Sequence, residues 1–274
     1  MESEAPEEED DRQPSTNSFV GNSKIAIVGN YSDSSKIFAD RLLKKGFQVT
    51  KIDPIKKNNS NLCIGIDIDK QFLPKNSSLK NLVEYSFSVV DQTREFCVAY
   101  KPNLAFFEEW GSEGFIWLEK LLEHIGDQHI IICDAKRGDI GNTAKHYANA
   151  YFETFGFDAI TLNPFLGSDS LLPFLQFPNK GIYVLCQTSN KSAPQLQQNT
   201  SSKVIEICEK LDNNNIGLVV GATNSEGMKS IRTKTKLPFL IPGIGAQGGN
   251  LQEIISINKE FKFETIINVS RAII

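Results

Sequence analysis

No run in this sequence reaches the roughly 18 consecutive apolar residues that a membrane-spanning helix needs, so the chain is not expected to cross a bilayer. No positively charged N-terminal region leads into an apolar one, so no secretory signal is expected. Paired cysteines are missing as well. The five cysteines, Cys63, Cys97, Cys133, Cys186 and Cys208, lie too far apart for a CxxC or zinc-ribbon spacing. Their odd number and wide separation suit a reducing, cytoplasmic setting, with the thiols used as small core groups. A strong basic excess is missing too, and the charge balance is too weak to argue for a nucleic-acid partner, which would call for a clustered basic face. No internal repeat stands out. At 40% hydrophobic and 23% charged residues, the composition is neither collagen-like nor that of a wholly disordered chain.

What is present is unevenly distributed. The net charge of −4 is dominated by the N-terminus, where seven of the 33 acids fall in Met1–Asp11, leaving 26 acids against 29 bases elsewhere. A slightly basic body suits a small anionic ligand. Residues 1–23, acidic and then Ser/Asn/Pro-rich, read as a disordered tail. Residues 24–61 read as a lead-in that packs on the main domain. Within it, Ile25–Val28, the helically spaced Phe38, Leu42 and Leu43, and the alternating Phe47–Ile52 could form a β-α-β fragment. Gly29-Asn30-Tyr31-Ser32 lacks the second and third glycines of a dinucleotide-binding loop.

From residue 62 to residue 274 the pattern is regular. Eight apolar runs read as strands: Leu62–Ile66, Val98–Ala105, Ile130–Cys133, Ala159–Leu162, Ile182–Cys186, Ile216–Val220, Phe239–Ile241 and Thr265–Val269. Seven intervening segments are helical in pattern or long enough to hold a short helix, among them Leu79–Phe96, Gly114–Ile125, Thr143–Phe155, Val204–Leu211 and Ser225–Arg232. Strand–helix alternation implies parallel pairing, and continuous apolar strands imply burial on both faces. The expected fold class is therefore α/β, a (β/α)8 TIM barrel, with an open doubly wound sheet as the alternative. The sequence stops at Ile274, five residues after the eighth strand, so the final helix of a regular barrel is expected to be missing or replaced by Ile25–Ile52.

Function in such a barrel gathers at the C-terminal ends of the strands. Asp134 and Lys136 follow Ile130–Cys133 and are two residues apart, so in an extended strand they point the same way. With Lys101 from the neighbouring strand they would form an alternating charge array, tolerable only if opposite charges compensate. A lysine held there is a candidate proton donor; a structural ion pair is the alternative. Gly243, Gly245, Gly248 and Gly249 follow strand seven and Arg271 follows strand eight, where barrels bind phosphate through backbone N–H groups. The residues alone thus point to a phosphorylated small substrate beside a Lys/Asp array.

The run Asp134-Ala135-Lys136-Arg137-Gly138-Asp139-Ile140-Gly141-Asn142-Thr143 resembles the active-site signature of the orotidine 5′-phosphate decarboxylase family. The resemblance extends from about Phe38 to Arg271. It takes in Cys63–Asp67, Tyr100–Asn103, Asn163–Gly167, Gln187–Asn190, Val220–Thr223 and Pro242–Gly249, and it is strongest to the second sequence type of some bacteria and protists. It implies decarboxylation of orotidylate to UMP and CO2, the last step of de novo UMP synthesis, with no metal and no organic cofactor. Lys136 would protonate C6 of the pyrimidine, and Asp134 would lie near the substrate carboxylate and hold Lys136. Lys101 and Asp67 would contact the ribose hydroxyls. Asp139 and Thr143 would reach across a homodimer interface into the partner's site, Asp139 completing the charge network. Thr188 and Ser189 would lie near the base, and Gln247 and Arg271 would hold the phosphate. Asn103, Asn163 and Gly245 are further substrate-binding positions implied by the resemblance.

Two departures from the family pattern are the extra segment around Gly46–Asn58 and Lys191 in a place where the family often has proline. Related barrels that share an Asp-x-Lys-x-x-Asp strand bind Mg²⁺ through acidic strand ends. Here Lys101 and Asn163 occupy two of those ends, and neither is a good ligand for a hard cation. A third reading, motivated by the missing last helix, is an inactive barrel that serves as a binding or assembly module. The chain could also act beside a separate orotate phosphoribosyltransferase, which nothing in it resembles.

Overall fold

The computed structural model describes residues 60–274, apart from Asn213 and Ala246. The expected tail and nearly all of the expected lead-in lie outside the described residues. Eight parallel strands close into a barrel in sequence order: β1 (Leu62–Ile66), β2 (Ala99–Pro102), β3 (Ile130–Arg137), β4 (Ala159–Leu162), β5 (Gly181–Gln187), β6 (Ile216–Val220), β7 (Phe239–Ile241) and β8 (Thr265–Val269). β8 pairs with β1 in register Cys63↔Asn268 and Ile64↔Val269, which seals the sheet. Seven crossovers carry α1 (Leu79–Thr93), α2 (Gly111–Ile125), α3 (Gly141–Asn149), α4 (Leu172–Leu175), α5 (Pro194–Leu211), α6 (Ser225–Arg232) and α7 (Leu251–Ile257).

The strands read as unbroken apolar runs because both of their faces are covered. One alternate set, including Cys63, Ala99, Ile132, Ala159, Tyr183, Val219, Leu240 and Ile266, fills the barrel interior as one cluster. The other set, including Ile64, Tyr100, Ile160, Val184, Leu218 and Ile241, packs outward against the helices. Continued upward, the interior set reaches Lys101, Asp134 and Thr161, so register alone carries these polar groups to the C-terminal mouth.

The largest differences from the sequence-based expectation are in β2, β3 and α5. β2 stops at Pro102, because Leu104 turns away into a single helical turn, Ala105–Glu108, ahead of α2. β3 runs four residues past Cys133, so Asp134 and Lys136 sit on the strand itself. α5 begins ten residues earlier than Val204, because Gln195–Lys203 is largely polar and exposed and shows no apolar periodicity. α3 ends in a π-helical turn, Ala150–Thr154, which completes the expected Thr143–Phe155 segment.

After β8 the chain makes a turn in which Ser270 O accepts from Ile273 N and Ile274 N. Among the described residues no helix follows it. The outer face of β8 and β1 instead borders an apolar groove of about 430 Å³ between Leu62, Ile267 and Val269 on one side and Leu251 and Ile255 on the other. No helix among the described residues is long and apolar enough to cross a membrane.

The interior is tight where β5 meets β6. The Tyr183 ring is fully buried, and a Cβ on Gly217 would lie 2.6 and 2.7 Å from two of its carbons. Gly217→Val should therefore overpack the barrel and cost about 1–3 kcal/mol. A lowered denaturant midpoint with an unchanged slope would be the sign of it, and an unchanged midpoint would contradict the packing described.

Candidate active site

The C-terminal mouth opens into a cavity of about 450 Å³. That volume falls within the roughly 300–1,000 Å³ typical of small-molecule sites. Nine of the residues expected from sequence line it: Asp67, Lys101, Asn103, Asp134, Lys136, Thr188, Ser189, Gln247 and Arg271. Four do not. Asp139 and Thr143 lie on the β3–α3 connection and the first turn of α3, Thr143 exposed and Asp139 half-buried, its Oδ1 accepting from Ile140 N at 2.8 Å. Asn163 is exposed and caps the turn Pro164–Leu166 by accepting from Phe165 N at 3.1 Å. Gly245, at φ 76°, sits against Ala272 outside the cavity wall.

Asp134 is the hub of the charged end. Its Oδ2 accepts from Lys101 Nζ, and its Oδ1 accepts from Lys136 Nζ at 2.6 Å and from Thr161 Oγ1 at 3.1 Å. Burial alone would push its carboxyl up, but the Lys101 and Lys136 ammoniums more than offset this and hold it below the usual carboxylate range. Burial likewise would pull the Lys101 ammonium down. Asp134 and then Asp67 overcome that and hold it above the usual lysine range. Both groups are therefore charged at neutral pH despite exposures of only 4% for Lys101 and 9% for Asp134.

Lys136 differs from both. Its side chain is about half exposed (48%), and its backbone is left-handed at φ 49°, a conformation uncommon outside glycine. The β3–β4 register shifts between Cys133 and Arg137, a bulge that re-aims the strand end. Thr161 Oγ1 holds the Lys136 N–H at 2.9 Å in this geometry. The following residue, Arg137, turns away from the cavity and donates to Tyr151 Oη. The bulge thus delivers one cation inward and sends the next outward.

At the other end, the β7–α7 loop folds back on itself, with Gly249 N donating to Gly243 O at 3.1 Å and Gly248 N to Gly245 O at 2.8 Å. Gly243 has φ 101°, and a Cβ there would stand 2.9 Å from Gln247 Oε1 and 3.1 Å from Ser189 Cβ. Glycine is what lets Ser189 Oγ reach Gln247 Oε1 at 2.6 Å, which joins the β5 loop to the β7 loop. Arg271 completes this rim.

Among the described residues, no group of three or more His, Cys, Asp or Glu side chains is arranged to hold a metal ion. The five cysteines are buried and form no disulfide. Burial pushes the Cys63 and Cys133 thiols well up, so they do not act as nucleophiles here.

The sequence profile of the Orotidine 5′-phosphate decarboxylase / HUMPS family matches residues 60–274. The chain belongs to this family. Orotidine 5′-phosphate decarboxylase of Herpetosiphon aurantiacus is 39% identical over 229 residues, covering 79% of this chain and 85% of that protein. Its counterpart from Christiangramia forsetii is 41% identical over 235 residues, covering 81% and 86%. Among solved structures, Leishmania donovani OMP decarboxylase superposes with a TM-score of 0.71 at 36% identity, covering 80% of this chain and 88% of that one. Leishmania donovani UMP synthase superposes with a TM-score of 0.74 at 38% identity, covering 80% of this chain and 50% of that one.

In this member of the orotidine 5′-phosphate decarboxylase / HUMPS family, four cavity-facing residues escaped the sequence reading. Thr161 fixes both Asp134 and Lys136. Gln197 of α5 accepts from Thr188 N at 2.7 Å and donates to Thr188 Oγ1 at 2.9 Å, bracing the β5 loop. Asn268 and Ser270 line the cavity from β8. Period-2 alternation carried through Thr161 and Asn268 would have flagged those two. Gln197 carries no such signal, because its helix start was not legible.

The charge array has a testable pH signature. In the wild type, the Asp134 contribution to stability is present above the unfolded carboxyl value of about 3.9 and is lost only as pH falls through its lower folded value. The Lys101 contribution is present below the unfolded value of about 10.4 and is lost only as pH rises through its higher folded value. Their joint contribution should be flat between about pH 5 and pH 9. Asp134→Ala leaves a buried ammonium short of a partner and should cost about 3–5 kcal/mol at pH 7. Part of that loss should return at alkaline pH, because the Lys101 value now drops below its unfolded one. Denaturant titrations across pH would check both, and a variant with wild-type stability would show that Asp134 is not the compensating charge.

Proposed function

We propose that this chain decarboxylates orotidine 5′-phosphate to UMP and CO2, the last step of de novo pyrimidine biosynthesis, without a metal or organic cofactor. The observation that carries the reading is one cavity with a compensated Lys101–Asp134–Lys136 array at one end and a glycine-rich loop with Arg271 at the other. Family membership and relatives of that name near 40% identity support it.

In this reading the phosphate binds at Gln247 and Arg271, and the ribose hydroxyls meet Asp67 and Lys101, with Asn103 beside them. The base lies near Thr188 and Ser189. The bond from C6 to the carboxylate carbon breaks, CO2 leaves, and the electron pair stays on C6. Lys136 Nζ stabilises that carbanion as it develops and then delivers its proton to C6. Its half-exposed side chain can regain a proton from water. Asp134 holds and aims Lys136, and its negative charge lies close to where the substrate carboxylate sits. Phosphate binding, far from the breaking bond, orients the base and accelerates the reaction only through contacts strengthened in the transition state.

Asp139 and Thr143 act on the partner's site in a homodimer. Their position off the cavity, with the exposed apolar Ile140 between them in the chain and Phe165 and Leu166 exposed in the turn after β4, supports an interface on this side. Asn163 and Gly245 support substrate indirectly, by shaping the turn after β4 and the phosphate loop. Buried thiols that form no disulfide suit a cytoplasmic enzyme.

The decisive measurement is loss of orotidylate absorbance with purified protein, with and without EDTA. Full turnover in EDTA is expected; turnover abolished by EDTA would point to a metal-dependent relative. No turnover by a folded dimer would favour a non-catalytic module. Lys136→Ala should lower turnover at least about 100-fold while UMP binding persists. Mixing Lys136→Ala with Asp139→Ala protein should restore activity through one intact hybrid site, and no recovery despite subunit exchange would exclude a shared site.

A further inference from the structure

The wall formed by β1 and β8 contains groups that the charge array and the phosphate loop leave unexplained. Register sets Cys63 opposite Asn268 and Ile64 opposite Val269. Carried one step further, it brings the inward-facing Gly65 and Asp67 against Asn268 and Ser270. Gly65 leaves the room: a Cβ there would lie 2.9 Å from Ser270 Cβ, 3.0 Å from Ser270 Oγ and 3.2 Å from Asn268 Nδ2. In that space the Ser270 hydroxyl meets Asp67 Oδ2, with the Gly65 carbonyl 3.3 Å away. A hydroxyl has one proton, and the charged carboxylate is the stronger acceptor.

The consequence is directional. Asp67 Oδ2 is occupied from behind, while Asp67 Oδ1 is buried without a hydrogen-bond partner among the described residues. Asn268 Oδ1 is in the same condition, and both residues line the cavity. A buried acceptor without a donor is destabilising, so two on one cavity wall mark where donors are to be supplied from outside. Neutral donors fit better than a cation, because Lys101 already offsets the Asp67 charge from the neighbouring strand. A sugar with two neighbouring hydroxyls can supply a donor to each of two acceptors on one cavity wall.

We infer that Ser270 is the positioning residue that aims Asp67 at a sugar hydroxyl, and that Asn268 is a second, unassigned acceptor for the neighbouring hydroxyl. This rests on the ribonucleotide reading above and adds to it a strand-eight contribution to sugar recognition. Gly65 is the residue that makes the contact sterically possible.

The test is calorimetric binding of UMP, 2′-deoxy-UMP and 3′-deoxy-UMP to wild type, Ser270→Ala, Asn268→Ala, Asp67→Ala and the Ser270→Ala/Asp67→Ala double variant. The readout is the preference for UMP over each deoxy analogue, a ratio taken within one folded protein and independent of how much of it is folded. Ser270→Ala should lower the larger preference roughly tenfold, and Asn268→Ala should lower the preference for the other hydroxyl by a similar factor. In the Asp67→Ala background, adding Ser270→Ala should change nothing, because Ser270 acts through Asp67. An unchanged ratio in Ser270→Ala, or an equal loss in both backgrounds, would overturn the positioning role. An unchanged ratio in Asn268→Ala would overturn the second acceptor. Wild-type protein that binds no UMP would overturn the decarboxylase reading and this one with it, whereas UMP binding with unchanged ratios overturns this one alone.

Discussion

One buried carboxylate organises the mouth of this barrel. Asp134 sits between two ammoniums and a hydroxyl, and each of those contacts ties down a different part of the site. Lys101 links it to β2, Thr161 to β4, and Lys136 to the bulge at its own strand end. Lys101 is buried, and without the carboxylate beside it burial would pull its ammonium down. With it, Lys101 stays charged, and both lysine side chains are held on one carboxylate. The left-handed backbone at Lys136 is tolerable for the same reason, since Asp134 holds its side chain and Thr161 its N–H.

Closure of the sheet is the second constraint. Residues more than 200 positions apart, Asp67 and Ser270, are neighbours because β8 pairs with β1. The interior is narrow, so small residues are needed wherever a large or polar side chain must fit. Gly217 makes room for the Tyr183 ring, Gly65 for Ser270 and Asn268, and Gly243 for the Ser189–Gln247 contact. These glycines serve a packing purpose that composition alone does not disclose.

Much of this was legible beforehand. Five of the eight strand ranges coincide with their apolar runs, because strands buried on both faces leave an uninterrupted signature that needs no knowledge of partners. Nine of the thirteen expected site residues line one cavity, since chemistry on this fold gathers at the strand ends. What escaped follows a pattern. The first half of α5 escaped because it is exposed and polar, and Gln197 with it. Thr161, Asn268 and Ser270 escaped because each lies inside or just after an apolar run, where a polar residue reads as an interruption until the inward face is known. Asp139, Thr143, Asn163 and Gly245 stand outside the cavity of a single chain, a matter of loop path rather than of residue type.

By itself, then, the sequence determined the class of fold, the order of its elements and the chemical character of the mouth, because hydrophobic periodicity and residue type are local properties. Tertiary structure decided which face of each strand looks inward, that β3 bulges and turns Lys136 toward Asp134, and that Ser270 stands behind Asp67. Those outcomes depend on register and barrel closure, which join distant positions through hydrogen bonds and sterics that no local window contains.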